Sequence, residues 1–227
     1  MGPRHPTRHP TRRPARRPAR NLARLLLALL LFCAVAKNVV NYRVHDYAAW
    51  LVRDWGLRVA AIYACLWLLH LDADAKREAG LRPGPLANMA VAFLAFGLLD
   101  IIMTERLLPV LMDLLPGRMR IPLPDNPALL AMDIYLGLAL VAVSEELAFR
   151  GVLVGLCRKH GLGWIPTFCI TSLAFGLLHT SHGLLVMANA AMFGVLALGA
   201  RRMGKSLLPP MALHYVHNVI VWQNAFY

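Results

Sequence analysis

A short polar segment, residues 144–150 with the sequence SEELAFR, lies within an otherwise apolar stretch. On a helix, Glu146 and Arg150 are four residues apart and share one face, so the guanidinium can hold the carboxylate ionised. Glu145 points about 100 degrees away. A second carboxylate that faces a cavity can accept a proton from water, which is the task of a general base. An ion pair that locks two helices would explain Glu146 and Arg150 alone, but not the second acid.

Two later apolar stretches also carry polar residues that could do chemistry. One ends with Phe175 and His179, and the last contains His214 and Asn218, again four residues apart. An imidazole and a carboxamide on one helix face can bind one ligand or stabilise one developing oxyanion. His217 carries little weight, since a lone histidine near a helix end is usually an interfacial or hydrogen-bonded residue.

The composition places these residues in a membrane. The chain of 227 residues is 58% hydrophobic and 16% charged, whereas globular domains are about half apolar and a quarter charged. Because an ionised group at a bilayer centre costs roughly 2.5 to 3.5 kcal/mol, charges placed there are functional candidates. Asp100 and Asp133 also lie in apolar regions, and each is expected to be a hydrogen-bond partner between helices or at a helix end.

The elements that must position these groups are transmembrane helices. Windows of about 20 apolar residues predict seven spans, with six or eight as alternatives; they lie near 22–41, 56–72, 86–104, 127–157, 164–181, 183–200 and 206–226. Residues 107–115 are apolar but too short to cross, which predicts an interfacial or re-entrant piece. The expected fold is therefore an all-α polytopic transmembrane helical bundle with its active site inside the membrane, formed by the late helices.

A basic tail precedes the first span. Residues 1–24 contain eight arginines and repeated prolines, which forbid a helix and favour extended, disordered chain. The net charge of +12 indicates no nucleic-acid partner, because the basic residues lie mainly in the tail and between spans, as topology signals. They predict a cytoplasmic N-terminus, with the tail near anionic lipid, and assign Arg58 to the outer side. Residues 25–36 also resemble a signal-peptide core, although an uncleaved first span suits a polytopic protein better.

The chain divides into three predicted regions. Residues 1–24 are the disordered cytoplasmic tail, residues 25–126 are the N-terminal transmembrane helices and loops, and residues 127–227 hold the three polar motifs.

The motifs resemble a known family. Three elements occur in order, each within an apolar span: E-E-x-x-x-R from Glu145 to Arg150, F-x-x-x-H from Phe175 to His179, and H-x-x-x-N from His214 to Asn218. Together they resemble the CPBP family, the CAAX prenyl endopeptidases of type II and their bacterial relatives, also called the abortive-infection/bacteriocin-processing family. The resemblance covers about residues 127–226. It implies an intramembrane endopeptidase that hydrolyses a peptide bond near the C-terminus or membrane anchor of a substrate protein.

The resemblance also implies a role for each motif residue. The implied roles are activation of water by Glu145 with His179, stabilisation of the oxyanion by His214 with Asn218, charge balance and shaping of the site by Glu146 and Arg150, and structural support by Phe175. Family members are described both as glutamate-dependent proteases and as metalloproteases. We expect the metal-free mechanism, with no cofactor. In the alternative, zinc would be bound by Glu145, His179 and His214, with water as the fourth ligand.

Partners and other functions are constrained less tightly. The expected substrate is a membrane-anchored or exported protein or peptide, and the expected location is a bacterial inner membrane. Prenylation of the substrate and the oligomeric state are left open. A proton-coupled transporter could use the same Glu and His residues as a relay, although no inverted repeat supports it. A non-catalytic scaffold or bacteriocin-immunity protein is the remaining alternative.

Overall fold

The computed structural model describes residues 47–115 and 126–224, and all the regular structure in these two stretches is helical. We number the longer helices in chain order: α1 Tyr47–Leu71, α2 Ala73–Glu78, α3 Leu86–Leu114, α4 Pro127–Lys159, α5 Trp164–Leu178, α6 Leu184–Gly204 and α7 Leu208–Asn224. The predicted all-α bundle is confirmed.

Three of these helices, α3, α4 and α6, are long and apolar enough to cross a membrane, and α5 is apolar but only 15 residues long. Six of the predicted spans each fall on one described helix, namely α1 and α3 to α7. The predicted tail over 1–24, the first span near 22–41 and the signal-peptide alternative lie outside the described residues. The count of seven spans therefore stays a prediction.

Residues 107–115, predicted to be an interfacial or re-entrant piece, continue the helix of the preceding predicted span instead of forming an element of their own. Helix α3 continues from Leu86 to Leu114, with a π-helical turn at Met103–Leu107. Pro109 would normally break the helix because it cannot donate to the carbonyl four residues earlier. That carbonyl, on Glu105, lies inside the wider π turn, where the regular hydrogen-bond pattern has already shifted. The helix therefore passes the proline and continues to its end.

Helix α4 carries the polar segment and is 33 residues long. It starts from Asn126, whose side chain accepts hydrogen bonds from the next two free backbone N–H groups, with Pro127 at the first helical position. Two π-helical stretches interrupt it, Asp133–Gly137 and Leu147–Leu153. The second begins directly after Glu146. Such wide turns occur frequently at functional sites.

Helices α1 and α4 run parallel to each other. Near their first residues, the Tyr47 hydroxyl donates to the Asp133 carboxylate at 2.6 Å. Beyond the end of α1, Asp72 forms an ion pair with Lys159 at the end of α4. The centres of the two helices therefore face each other, in a bundle that α7 closes on the other side of α4.

Basic side chains predicted to be cytoplasmic gather at one end of the bundle. The guanidinium groups of Arg158 and Arg202 lie 4.8 and 4.9 Å from the Trp164 ring centroid. Arg201 donates to the backbone carbonyl of Glu78 at the end of α2. Acidic side chains of α2 and of the turn before it pair with some of these basic residues at the same end.

Candidate active site

Helix α4 places two carboxylates near the middle of the bundle. At a rise of 1.5 Å per residue, Glu145 lies about 27 Å from the start of α4 and about 21 Å from its end. Glu145 is 5% exposed and Glu146 is fully buried. Carboxylates at this depth are stable only with partners that balance their charge.

Glu146 is bound from two sides. Nη1 of Arg150 donates to its Oε1 at 2.9 Å, and Nδ1 of His214 lies 2.8 Å from the same oxygen. The guanidinium of Arg150 is fully buried and lies 4.3 Å from the centroid of the Phe175 ring, a cation–π contact. The spacing of four residues thus produces the ion pair that it predicts, and α7 adds an imidazole to it.

Glu145 also has a cationic partner, which the sequence did not indicate. Nη1 of Arg58 donates to Glu145 Oε1 at 3.2 Å and to Ser144 Oγ at 3.3 Å, while its Nε donates to Asp54 at 2.7 Å. The second acid is therefore also ion-paired, and the outer-side assignment of Arg58, which is 5% exposed, is wrong. The two residues are 87 positions apart. Only the parallel packing of α1 on α4 brings them together.

A narrow gap separates Glu145 from His214. Oε2 of Glu145 lies 3.8 Å from Nε2 of His214, which is too long for a direct hydrogen bond. This oxygen is buried and has no hydrogen-bond partner among the described residues. One bridging oxygen atom, from water or from a substrate carbonyl, can reach both atoms.

The contact with Glu146 orients the imidazole of His214. Three carboxylates, including that of Asp54, face two guanidinium groups, so one additional proton would balance the cluster in its low-dielectric setting. If His214 Nδ1 and Glu146 Oε1, 2.8 Å apart, share that proton, Nε2 of His214 also bears a hydrogen. In that protonation state His214 presents an N–H group towards Glu145.

His179 lies next to this cluster without touching the carboxylates. Its Nδ1 is 3.0 Å from the backbone carbonyl of Phe175, which can only accept, so Nδ1 carries a hydrogen and, in the neutral ring, Nε2 has the lone pair. The Phe175 ring contacts the rings of His179 and His214, with centroids 5.1 and 5.7 Å apart. In the described part of the chain no hydrogen bond or ion pair joins His179 to Glu145. Phe175 therefore links His179 to His214, and not to Glu145 directly.

Asn218 and His217 occupy the turn of α7 that follows His214. Asn218 is half-buried and makes no hydrogen bond among the described residues, so its amide is available to a ligand. His217, given little weight from the sequence, is buried and its Nδ1 lies 3.0 and 2.9 Å from the two carboxylate oxygens of Asp100 on α3. Asp100, like Asp133, is thus an inter-helix hydrogen-bond partner, as predicted.

The described side chains do not form a three-ligand metal site. Among the described residues, no group of three His, Cys, Asp or Glu side chains is placed to hold a metal ion. Arg58 occupies one oxygen of Glu145, and Glu146 occupies Nδ1 of His214. The free atoms of Glu145 and His214 that face each other supply two ligands, whereas catalytic zinc takes three from the protein.

The fold and this cluster define a class: an integral membrane protein of packed helices with a buried acid–imidazole centre. The model of the family described as Type II CAAX prenyl endopeptidase Rce1-like matches residues 127–220. The match agrees with the resemblance to the CPBP family that the motifs indicate, and it shows that residues 127–220 are similar to a family of prenyl endopeptidases. It covers less than half of the chain, and α1 to α3 lie outside it. No curated protein and no solved structure matches the chain.

Proposed function

We propose that the protein is an intramembrane endopeptidase that hydrolyses a peptide bond near the C-terminus or the membrane anchor of a substrate protein. The observation that carries the proposal is the 3.8 Å approach of Glu145 Oε2 to His214 Nε2 inside a buried, charge-balanced cluster. The family match over residues 127–220 supports protease activity.

In the proposed reaction, a water molecule binds Oε2 of Glu145. As its oxygen attacks the carbonyl carbon of the scissile bond, Glu145 takes one proton from the water. The negative charge that develops on the carbonyl oxygen is stabilised by the N–H of His214 Nε2 and by the amide of Asn218. The proton on Glu145 then passes to the amide nitrogen, the carbon–nitrogen bond breaks, and the amine leaves.

The other motif residues support Glu145 and His214. Glu146 and Arg150 hold His214 at Nδ1, so that Nε2 faces Glu145. His179, whose ring contacts Phe175 beside His214, is assigned the role that the family resemblance implies, assisting activation of the water. No step requires a metal, and we therefore expect cleavage to continue in the presence of a strong chelator.

The expected substrate is a membrane-anchored or exported protein that loses a leader, a sorting helix or a short C-terminal extension. A buried site favours substrates that already lie in the bilayer. We place the protein in a bacterial inner membrane with its basic N-terminal tail in the cytoplasm, where anionic lipid would attract it.

The test compares the membrane proteomes of three strains: one lacking the chain, one expressing it, and one expressing Glu145→Gln. We expect specific proteins to retain a terminal hydrophobic segment in the first and third strains. The matched control is Glu105→Gln, the same substitution at an exposed carboxylate on α3, which should process normally. Processing by correctly inserted Glu145→Gln would refute the mechanism, whereas solute flux without cleavage would indicate a transporter.

A further inference from the structure

Arg58 contacts the proposed base from a part of the chain that the family match does not include. It lies at the centre of α1, 5% exposed, whereas the matched segment begins at α4. Its guanidinium uses two nitrogens for separate partners: Nε donates to Asp54 at 2.7 Å, and Nη1 donates to Glu145 Oε1 at 3.2 Å. A guanidinium held at both ends in this way has a fixed orientation.

The contact selects which oxygen of Glu145 remains available. Arg58 binds Oε1, and Oε2 is left without a partner among the described residues, 3.8 Å from His214 Nε2. Ser144 extends the same arrangement, because its hydroxyl donates to the Val141 carbonyl and is therefore able to accept from Arg58. The side chain of Glu145 cannot rotate without breaking the hydrogen bond to Arg58.

We propose that Arg58, oriented by Asp54, is a positioning residue that aims Oε2 of Glu145 into the gap in front of His214. The proposal rests on the proposed function, because it gives Arg58 a role in activating the water. It makes α1 a part of the active site. An ion pair that only joins α1 to α4 would affect stability, but it would leave the turnover of the folded enzyme unchanged.

The experiment measures kcat, KM and melting temperature of the purified full-length protein on one substrate found by the proteome comparison. The variants are Arg58→Ala, Arg58→Lys and Asp54→Asn, with Arg53→Ala as the matched control, because Arg53 is an exposed arginine on the same helix. We expect kcat of Arg58→Ala to fall on the order of 10- to 100-fold, the effect of losing one hydrogen bond to a charged group, with KM little changed. Arg53→Ala should match the wild type.

Two further results separate positioning from simple stabilisation. Guanidinium ion at non-denaturing concentration should partly restore kcat of Arg58→Ala, and it should not restore Glu145→Gln. Arg58→Lys should be intermediate, since one ammonium carries the charge but lacks the planar fork that reaches both carboxylates. Asp54→Asn, nearly the same size, should lower kcat several-fold, and it keeps the test open if Arg58→Ala does not fold.

The proposal is overturned if folded Arg58→Ala or Asp54→Asn turns over at the wild-type rate while Glu145→Gln is inactive. It is also overturned if guanidinium restores the melting temperature of Arg58→Ala but leaves kcat unchanged. Absence of cleavage by the wild type would instead remove the proposed function itself, and an active Glu145→Gln protein would refute Glu145 as the base, so these failures are distinguishable from that of Arg58.

Discussion

Replacement of Arg150 by methionine tests the buried charge balance on which the site depends. Arg150 is fully buried, its Nη1 donates to Glu146 Oε1 at 2.9 Å, and its guanidinium lies 4.3 Å from the Phe175 centroid. Methionine fills most of the same volume but leaves Glu146 without its guanidinium. Removing one partner of a buried ion pair typically costs about 3 to 5 kcal/mol, because the remaining charge stays buried.

The expected shift in melting temperature follows from that free energy. For a chain of this size, 1 kcal/mol corresponds to roughly 2 to 4 °C, so Arg150→Met should melt roughly 6 to 20 °C below the wild type. The double variant Arg150→Met, Glu146→Gln should recover part of the loss, since it removes the orphaned charge. Thermal unfolding of the detergent-solubilised proteins, followed by intrinsic fluorescence, gives the melting temperatures of the wild type, the single variant and the double variant.

The matched control is Arg77→Met. Arg77 forms an ion pair with Asp74, but both side chains are mostly exposed, at 78% and 61%, and such pairs contribute little to stability. Its melting temperature should remain close to that of the wild type. If Arg150→Met melts no lower than Arg77→Met, or if the double variant is as unstable as the single one, Arg150 does not balance a buried charge.

Three further predictions use other contacts. Asp100→Leu should lower the melting temperature, because it leaves the buried His217 without its partner. The double variant Asp100→Leu, His217→Leu should recover part of that loss, and a double-mutant cycle of melting curves measures both effects. Asp72 caps α2 and pairs with a lysine of α4. Burial raises the pKa of its carboxyl, but these hydrogen bonds lower that pKa by a larger amount, so the pKa in the folded protein lies below the ordinary 3.8. The stability that the ionised Asp72 adds to the folded protein is therefore complete above pH 3.8 and is lost as the pH falls below it. In that acidic range, the melting temperature of Asp72→Asn should fall less with pH than that of the wild type. Finally, cleavage by protein purified and assayed with a strong chelator should match the untreated rate; loss of activity restored by zinc alone would favour the metal alternative.

Local spacing predicted the part of the site that lies on one helix. Glu146 and Arg150 are four residues apart on α4, and the backbone of a helix is sufficient to bring them together. The ordered polar motifs also indicated a resemblance with which the family match over residues 127–220 agrees. His214 was named from its spacing to Asn218, yet its contact in the structure is with Glu146 on another helix.

Contacts between distant helices could not be predicted in this way. Arg58 meets Glu145 only because α1 packs parallel to α4, and hydrophobic periodicity does not specify which helices are neighbours. Charge counting even misplaced Arg58, since a buried arginine and a loop arginine look the same in sequence. His217 meets Asp100 for the same kind of reason. The continuation of α3 past Pro109 depends on a π turn, for which the sequence carries no simple signal.

The most direct test of the central claim, that Glu145 activates water for attack on a peptide bond, is cleavage in water enriched in ¹⁸O. With the purified protein and one identified substrate, mass spectrometry of the new C-terminus should show incorporation of solvent oxygen for the wild type and for Glu105→Gln. Glu145→Gln should yield no such product. Formation of the same ¹⁸O-labelled product by Glu145→Gln at the wild-type rate would contradict the account.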